Sequence, residues 1–99
     1  MAILDGLNKV FESKIRLGIM SVLVANGSAD FATLKSLLDL TDGNLASHAR
    51  SLEEAGYLRC EKKFVGRKPN TTYIVTESGR EAFAAHIDAM ERFLKECRG

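Results

Sequence analysis

The chain has 99 residues, of which 45% are hydrophobic and 27% charged, and its formal net charge is +1. These values are typical of one folded domain, taken here as residues 1–99, and exclude a disordered chain. The sequence contains no apolar run near the roughly 20 residues that cross a bilayer and no secretory signal pattern, and its two cysteines lie far apart. It therefore predicts a cytoplasmic protein with no membrane partner and no disulfide framework.

Helical spacing of apolar residues dominates the first quarter of the chain. These residues recur every four positions from Leu7 to Leu23, which predicts a helix from about Asn8 to Ala25 that ends at Gly27. Residues 28–31 are predicted to form a short extended link, and residues 33–38 a brief helix. Its predicted inward residues are Leu34, Leu37 and Leu38.

The segment Thr41–Leu58, TDGNLASHARSLEEAGYL, combines a helix start, a thin apolar seam and a helix stop. Thr41 offers a hydroxyl as N-cap, and Gly56 closes the helix. About three residues separate this helix from the preceding one, which predicts a helix-turn-helix. Three residues fall on one face and form the seam: Leu45, Ala49 and Leu52.

The face opposite this seam carries small polar side chains and one arginine. A solvated face is the usual reason for such a pattern, but solvated faces favour stronger helix formers than these. Short donors and acceptors suit close approach to phosphates and base edges in a major groove. The candidate DNA-contacting residues of this helix are Gly43, Asn44, Ser47, His48, Arg50 and Ser51.

Beyond Gly56 the helical period stops, and a basic hairpin is predicted. The first strand runs from Leu58 to Phe64, a loop covers Gly66–Asn70, and the second strand is Thr71–Val75. Residues 57–70 hold five Lys/Arg against one Glu, a local charge of +4, so the rest of the chain is slightly acidic. A charged strand edge that prevents aggregation is the structural alternative to phosphate binding. The candidate phosphate-binding residues are Lys62, Lys63, Arg67 and Lys68.

A long last helix is predicted from the cap Thr76 to about Cys97, with a wide apolar stripe. The stripe either folds back on the protein's own core or packs against a second copy. We predict the dimer, with some residues serving both roles, which sets two recognition helices roughly 34–36 Å apart. The candidate dimerisation residues are Phe83, Ile87, Met90, Phe93 and Leu94.

This order of elements predicts an α+β, mainly helical fold: a winged helix-turn-helix with a two-stranded wing (residues 8–75) and a long C-terminal dimerisation helix (residues 76–97). No nucleophile–base set, Gly-rich phosphate loop or metal-ligand spacing occurs in the sequence. We therefore predict neither enzymatic activity nor a metal or cofactor. Cys60 is predicted to pack under the hairpin as a small apolar residue, and Cys97 to be an exposed thiol.

Three ordered blocks, DFATLKSLL, LTDGNLASHARSLEEAGYL and KKFVGRKPNTTYIVTESGREAF, resemble small winged helix-turn-helix transcriptional regulators of bacteria and archaea, related to the MarR and ArsR families. The resemblance covers about residues 8–94. It implies a DNA-binding homodimer with the helix Asp42–Ala55 in the major groove and the Gly66–Asn70 wing on the backbone or minor groove. Its TxxGR block, residues 76–80, starts the last helix. Ala49 departs from the leucine usual in this family, and the ArsR metal-binding cysteines are absent.

We therefore predict a sequence-specific regulator that binds double-stranded DNA as a homodimer and represses by occupying a promoter. The main alternative is a winged-helix module that uses its polar helix to bind another protein, and a more distant one is a redox switch through Cys97. The sequence does not indicate a small-molecule effector. Because the helices that build a ligand pocket in larger MarR proteins are missing, an effector would have to bind between protomers.

Overall fold

The computed structural model describes residues 4–99. Its elements in chain order are a 3-10 turn Lys9–Glu12, α1 Lys14–Asn26, β1 Ser28–Asp30, α2 Phe31–Leu38, α3 Asp42–Glu54, β2 Leu58–Val65, β3 Lys68–Val75 and α4 Glu77–Arg98. The strands form one antiparallel sheet in the order β1-β3-β2. The predicted fold, α+β and mainly helical, is confirmed. Within residues 4–99, no helix combines the length and apolar character that a membrane span needs.

The first helix begins later than the apolar spacing predicts. Ser13 has an extended backbone, and its Oγ accepts a hydrogen bond from the Arg16 backbone N–H at 3.3 Å, so α1 starts at Lys14. Upstream, the Asn8 side chain accepts from the Val10 N–H and holds the short 3-10 turn. These polar side chains compete for backbone donors and interrupt the helix. Gly27, at φ 85°, ends α1 as predicted.

The segment predicted as an extended link is a third strand of the sheet. β1 pairs with β3, with Ser28 opposite Ile74 and Asp30 opposite Thr72. Asp30 also caps α2, because its carboxylate accepts from the Thr33 N–H at 2.8 Å. Hydrogen bonding by the Thr33 side chain, and then by its backbone N–H, holds the pKa of Asp30 below its usual value.

Of the three leucines of α2 that are predicted to point inward, two do so. Leu34 is fully buried and Leu38 is half-buried against Gly18 of α1, whereas Leu37 is 64% exposed. Residues 34 and 38 lie one turn apart and face the body of the protein, and position 37 lies off that row. The prediction that Leu37 points inward is therefore wrong.

The core lies between the three helices of the helix-turn-helix and the sheet. The predicted seam of α3 is buried, with Leu45, Ala49 and Leu52 at most 1% exposed. The largest fully buried side chains are Ile19, Met20, Leu23, Leu34, Leu45, Leu52 and Leu58. Because α3 buries only this narrow seam, most of its circumference is open to solvent.

The wing is longer and more regular than the sequence predicts. β2 and β3 stay in register from Leu58 opposite Val75 to Val65 opposite Lys68, which leaves a turn of two residues. The predicted five-residue loop Gly66–Asn70 is therefore wrong, and its last three residues belong to β3. Gly66 has φ 66°, a backbone conformation that two-residue hairpin turns require and glycine adopts readily.

A dense corner joins the start of α4 to the ends of α1 and α3. The Thr76 hydroxyl donates to the Gly56 carbonyl at 2.6 Å and accepts from the Gly79 N–H at 2.9 Å, so Thr76 caps α4 as predicted. A side chain at Gly79 would overlap the carbonyl group of Tyr57. Arg80 donates to the Val24 carbonyl in the last turn of α1 at 3.2 Å. The TxxGR block thus fixes α4 to the helix-turn-helix.

The apolar stripe of α4 is partly covered by the protein's own residues. Phe83 is half-buried, with its ring centroid 5.9 Å from that of Phe11. His86 is 5% exposed, and its Nδ1 accepts from the Asn8 N–H at 2.9 Å. Further along, Ile87, Met90 and Phe93 are half-buried, and Leu94 is 46% exposed. The second half of the stripe therefore presents apolar surface to solvent.

Candidate nucleic-acid interface

The outer face of α3 presents most of its predicted site residues to solvent. Gly43, Asn44, Ser47 and Arg50 are exposed, and no atom lies within 4 Å of the position that a Cβ at Gly43 would occupy. Ser51 is half-buried, and its hydroxyl donates to the Ser47 carbonyl at 3.3 Å. The first turn is held by Thr41, whose hydroxyl accepts from the Asn44 N–H at 3.1 Å. This face therefore has a backbone that is accessible at Gly43, and most of its side chains are short and polar.

His48 lies at the margin of this face, towards α1. It is half-buried, and its Nδ1 accepts a hydrogen bond from the Arg16 Nε at 3.2 Å. Arg16 also donates to the Val10 carbonyl at 3.2 Å. The hydrogen bond between Arg16 and His48 orients the His48 ring and links α3 to the start of α1.

An open cleft of about 780 Å³ separates α3 from the wing. Arg50 lies on the helical wall and Lys62 on the β2 wall, so the fold brings these two predicted cations together. The residues that line the cleft are Ala46, Ser47, Arg50, Glu53, Cys60, Lys62 and Tyr73. Hydrogen-bond donors and one cation from each of two elements thus line one concave surface, together with the carboxylate of Glu53.

The two lysines of β2 lie on opposite faces of the hairpin. Lys62 shares its face with Cys60, which also lines the cleft, because strand residues alternate between faces. Lys63 shares the other face with Glu61, whose carboxylate lies 3.8 Å from the Lys63 Nζ and 2.9 Å from an Arg59 guanidinium nitrogen. The Glu61 carboxylate therefore partly offsets the charges of Arg59 and Lys63 on the outer face of the wing.

The tip of the wing carries the remaining predicted cations. Arg67 lies in the two-residue turn and Lys68 starts β3, and both are exposed. Among residues 4–99, no ion pair involves either of them, nor Arg50 or Lys62. Four cations on α3 and the wing are therefore available to an anionic partner.

Four lining residues of the cleft are not among the predicted site residues: Ala46, Glu53, Cys60 and Tyr73. Glu53 follows Arg50 by three positions, a spacing that sets both on one side of α3. Cys60 packs beside the core as predicted, and burial, reinforced by the charge of Glu53, raises the pKa of its thiol. Burial likewise raises the pKa of Tyr73. The described part of the chain contains no group of side chains suited to hold a metal ion.

Comparison with known proteins identifies the family. The family model described as winged helix DNA-binding domain matches residues 15–94. An uncharacterized protein of Methanocaldococcus jannaschii is 37% identical over 79 residues, which are 80% of this chain and 86% of that protein.

Solved structures of several other proteins have a similar fold. A transcriptional regulator homologue from Pyrococcus horikoshii superposes with a TM-score of 0.77 and 31% identity, covering 90% of this chain and 93% of that one. MarR superposes with a TM-score of 0.75 at 18% identity, covering 89% of this chain and 64% of that one. The winged-helix resemblance drawn from the sequence is confirmed, and MarR shares the fold. The chain belongs to the winged helix DNA-binding domain family.

Proposed function

We propose that this protein is a transcriptional regulator that binds double-stranded DNA sequence-specifically as a homodimer and represses by occupying a promoter. The observation that carries the proposal is the pair Arg50 and Lys62, which form no ion pair within residues 4–99 and face one cleft from two elements. Cations that neutralise phosphates release counterions and so favour binding to a polyanion. Family membership supports the same partner.

The shape of α3 supports its insertion into a major groove. Open space at Gly43 allows the start of the helix to approach the duplex closely. In this arrangement Asn44, Ser47 and Ser51 contact bases or phosphates, and Arg50 donates to a guanine edge or a phosphate. His48 contacts the DNA from the margin of the same face.

The wing then follows the flanking DNA. Lys62 contacts the phosphate backbone where it crosses the cleft, and Arg67 and Lys68 contact the backbone beyond the cleft. Lys63 contributes less, since it lies on the opposite face near the Glu61 carboxylate. Each protomer thus contacts one half-site through two adjacent elements.

The outer part of α4 supports association of two copies. α4 has 22 residues and is about 33 Å long, and its last apolar residues are incompletely covered. Phe83 already packs against Phe11. Therefore Ile87, Met90, Phe93 and Leu94 form most of the contact. The resulting two-fold axis would set the two α3 helices roughly 34–36 Å apart.

The test of DNA binding is selection of duplexes from a random pool, followed by fluorescence anisotropy on the selected sequence. We expect a two-fold symmetric consensus. Arg50→Ala should weaken binding by about 1–3 kcal/mol and relax the preference at one base pair if Arg50 reads a base. If no duplex is bound even at low salt, the protein-interaction alternative replaces this proposal.

The test of the dimer is light scattering on a Leu94→Glu variant. We expect the mass to fall from that of two chains to that of one, because a charge in an apolar contact is costly. Leu37→Glu is the matched control, since Leu37 is also exposed but lies on α2. A single-chain mass for the unmodified protein, or equal masses for both variants, would contradict the α4 interface.

A further inference from the structure

The end of the wing carries two large apolar side chains in solvent. Phe64 is 75% exposed and Val65 is 67% exposed. Phe64 lies opposite Pro69 in the β2–β3 register, and Pro69 is exposed too. Single exposed apolar residues are common on protein surfaces. Here a phenylalanine and a proline lie side by side at the end of a basic hairpin and form an apolar tip. Exposed apolar surface of this kind, rimmed by polar residues, marks an interaction site.

The strand register assigns these side chains to different faces. Phe64 and Pro69 share the face of Lys62 and of Cys60, which borders the cleft. Phe64 lies two residues beyond Lys62, roughly 7 Å along the strand. Val65 lies on the opposite face, with Lys63 and Lys68. The aromatic ring therefore extends the surface that α3 and Lys62 present.

The charges around this tip indicate the chemistry of its partner. Residues 62–70 contain Lys62, Lys63, Arg67 and Lys68 and no acidic residue. An apolar group surrounded by cations suits a surface that combines phosphates with stacked bases. Proteins that bend DNA through its minor groove combine these two features, since their cations hold the backbone while an apolar side chain enters between base pairs.

We propose that Phe64 is an apolar wedge that enters the minor groove beside the half-site, partly unstacks one base step and kinks the duplex. This inference rests on the proposed binding of α3 to the adjacent major groove. Pro69 packs against the sugars next to the opened step. Because pyrimidine–purine steps unstack most readily, the protein prefers such a step at the position under each wing, without a hydrogen bond to its bases.

The test compares Phe64→Ala with the matched control Val65→Ala on the selected duplex. The two residues are neighbours of similar exposure on opposite faces, and neither belongs to the core. 2-Aminopurine at the step under the wing reports unstacking, and energy transfer between the duplex ends reports bending. We expect the unmodified protein and Val65→Ala to raise both signals. Phe64→Ala should abolish both and bind about tenfold more weakly, as expected when one apolar contact to a base is lost.

The remaining outcomes separate the wedge from the proposed function. If the unmodified protein binds no duplex, both fail. If it binds but Phe64→Ala and Val65→Ala give the same signals and affinity, the wedge is refuted and DNA binding through α3 stands. If Phe64→Ala changes the mass in light scattering, Phe64 contacts a second copy of the chain instead, and the wedge is again refuted. Matching urea unfolding curves for the two variants establish that both are folded.

Discussion

Lys62 and Lys63 form a matched pair for measuring which face of the wing meets DNA. They are consecutive on β2 and both are exposed. Lys62 borders the cleft and forms no ion pair within residues 4–99, whereas the Lys63 Nζ lies 3.8 Å from a Glu61 oxygen. Replacing either lysine by glutamine changes the net charge equally. A difference between the two variants therefore reports position and not total charge.

The expected magnitude follows from the number of available cations. Arg50, Lys62, Arg67 and Lys68 give four per protomer and eight per dimer, which corresponds to a slope of log affinity against log salt of about −7. Lys62→Gln removes two phosphate contacts per dimer and should make the slope shallower by about 2. When the salt is raised from 50 to 200 mM, affinity falls by some factor for each protein. This factor should be roughly tenfold smaller for the variant than for the unmodified protein. Lys63→Gln should keep the slope within about half a unit.

Fluorescence anisotropy of a labelled duplex over this salt range measures both slopes. The same slope change in both variants would refute the assignment of the cleft face to DNA, because the two side chains would then be equivalent. A larger change for Lys63→Gln would show that the outer face of the wing contacts the duplex. Equal and unchanged slopes would remove β2 from the interface altogether.

Three further predictions concern packing and protonation. Gly79→Ala should lower the free energy of unfolding in urea by about 2 kcal/mol, because the added methyl overlaps the Tyr57 carbonyl; an unchanged midpoint would show that α4 shifts freely. Gly43→Ala should keep or raise stability by up to about 1 kcal/mol, since its site is open, yet weaken duplex affinity; unaltered affinity would mean that this end of α3 stays away from DNA. Burial lowers the pKa of His86 from 6.5, and its Nδ1 must be unprotonated to accept from Asn8, so the unfolded chain takes up the proton first on acidification. Stability should therefore be full above about pH 6.5 and decline below it, and His86→Gln should remove this contribution; identical pH profiles for the two proteins in urea unfolding would contradict the argument.

The parts of the fold that the sequence predicts correctly depend on local chemistry. Thr41 and Thr76 each accept a hydrogen bond from an N–H three residues ahead, and Gly27 adopts a positive φ at the end of α1. The parts that it misses depend on distant partners. The chain before Ser13 is held by a bond between residues 78 positions apart in the sequence, and β1 is a strand because β3 lies beside it.

In the candidate site too, some features follow from the local sequence and others depend on how distant segments pair. The residue types and the strand alternation could be read from the sequence, including the opposite faces of Lys62 and Lys63. The length of the turn could not, because a loop with Gly and Pro is compatible with either two or five residues. With two residues, the strands extend to Val65 and Lys68, and Phe64 leaves the body of the protein, although alternation assigns it to the same face as the buried Leu58.

The corner at the start of α4 relates the proposed dimer to the recognition helix. The Thr76 hydroxyl donates to Gly56, immediately after α3, and Arg80 donates to Val24 near the end of α1. At Gly79, the backbone of α4 contacts Tyr57 so closely that no side chain fits between them. If two copies associate through the outer turns of α4, these contacts transmit any change in the angle between the two α4 helices to α3. In such a dimer, the distance between the two recognition helices depends on how the two α4 helices pack.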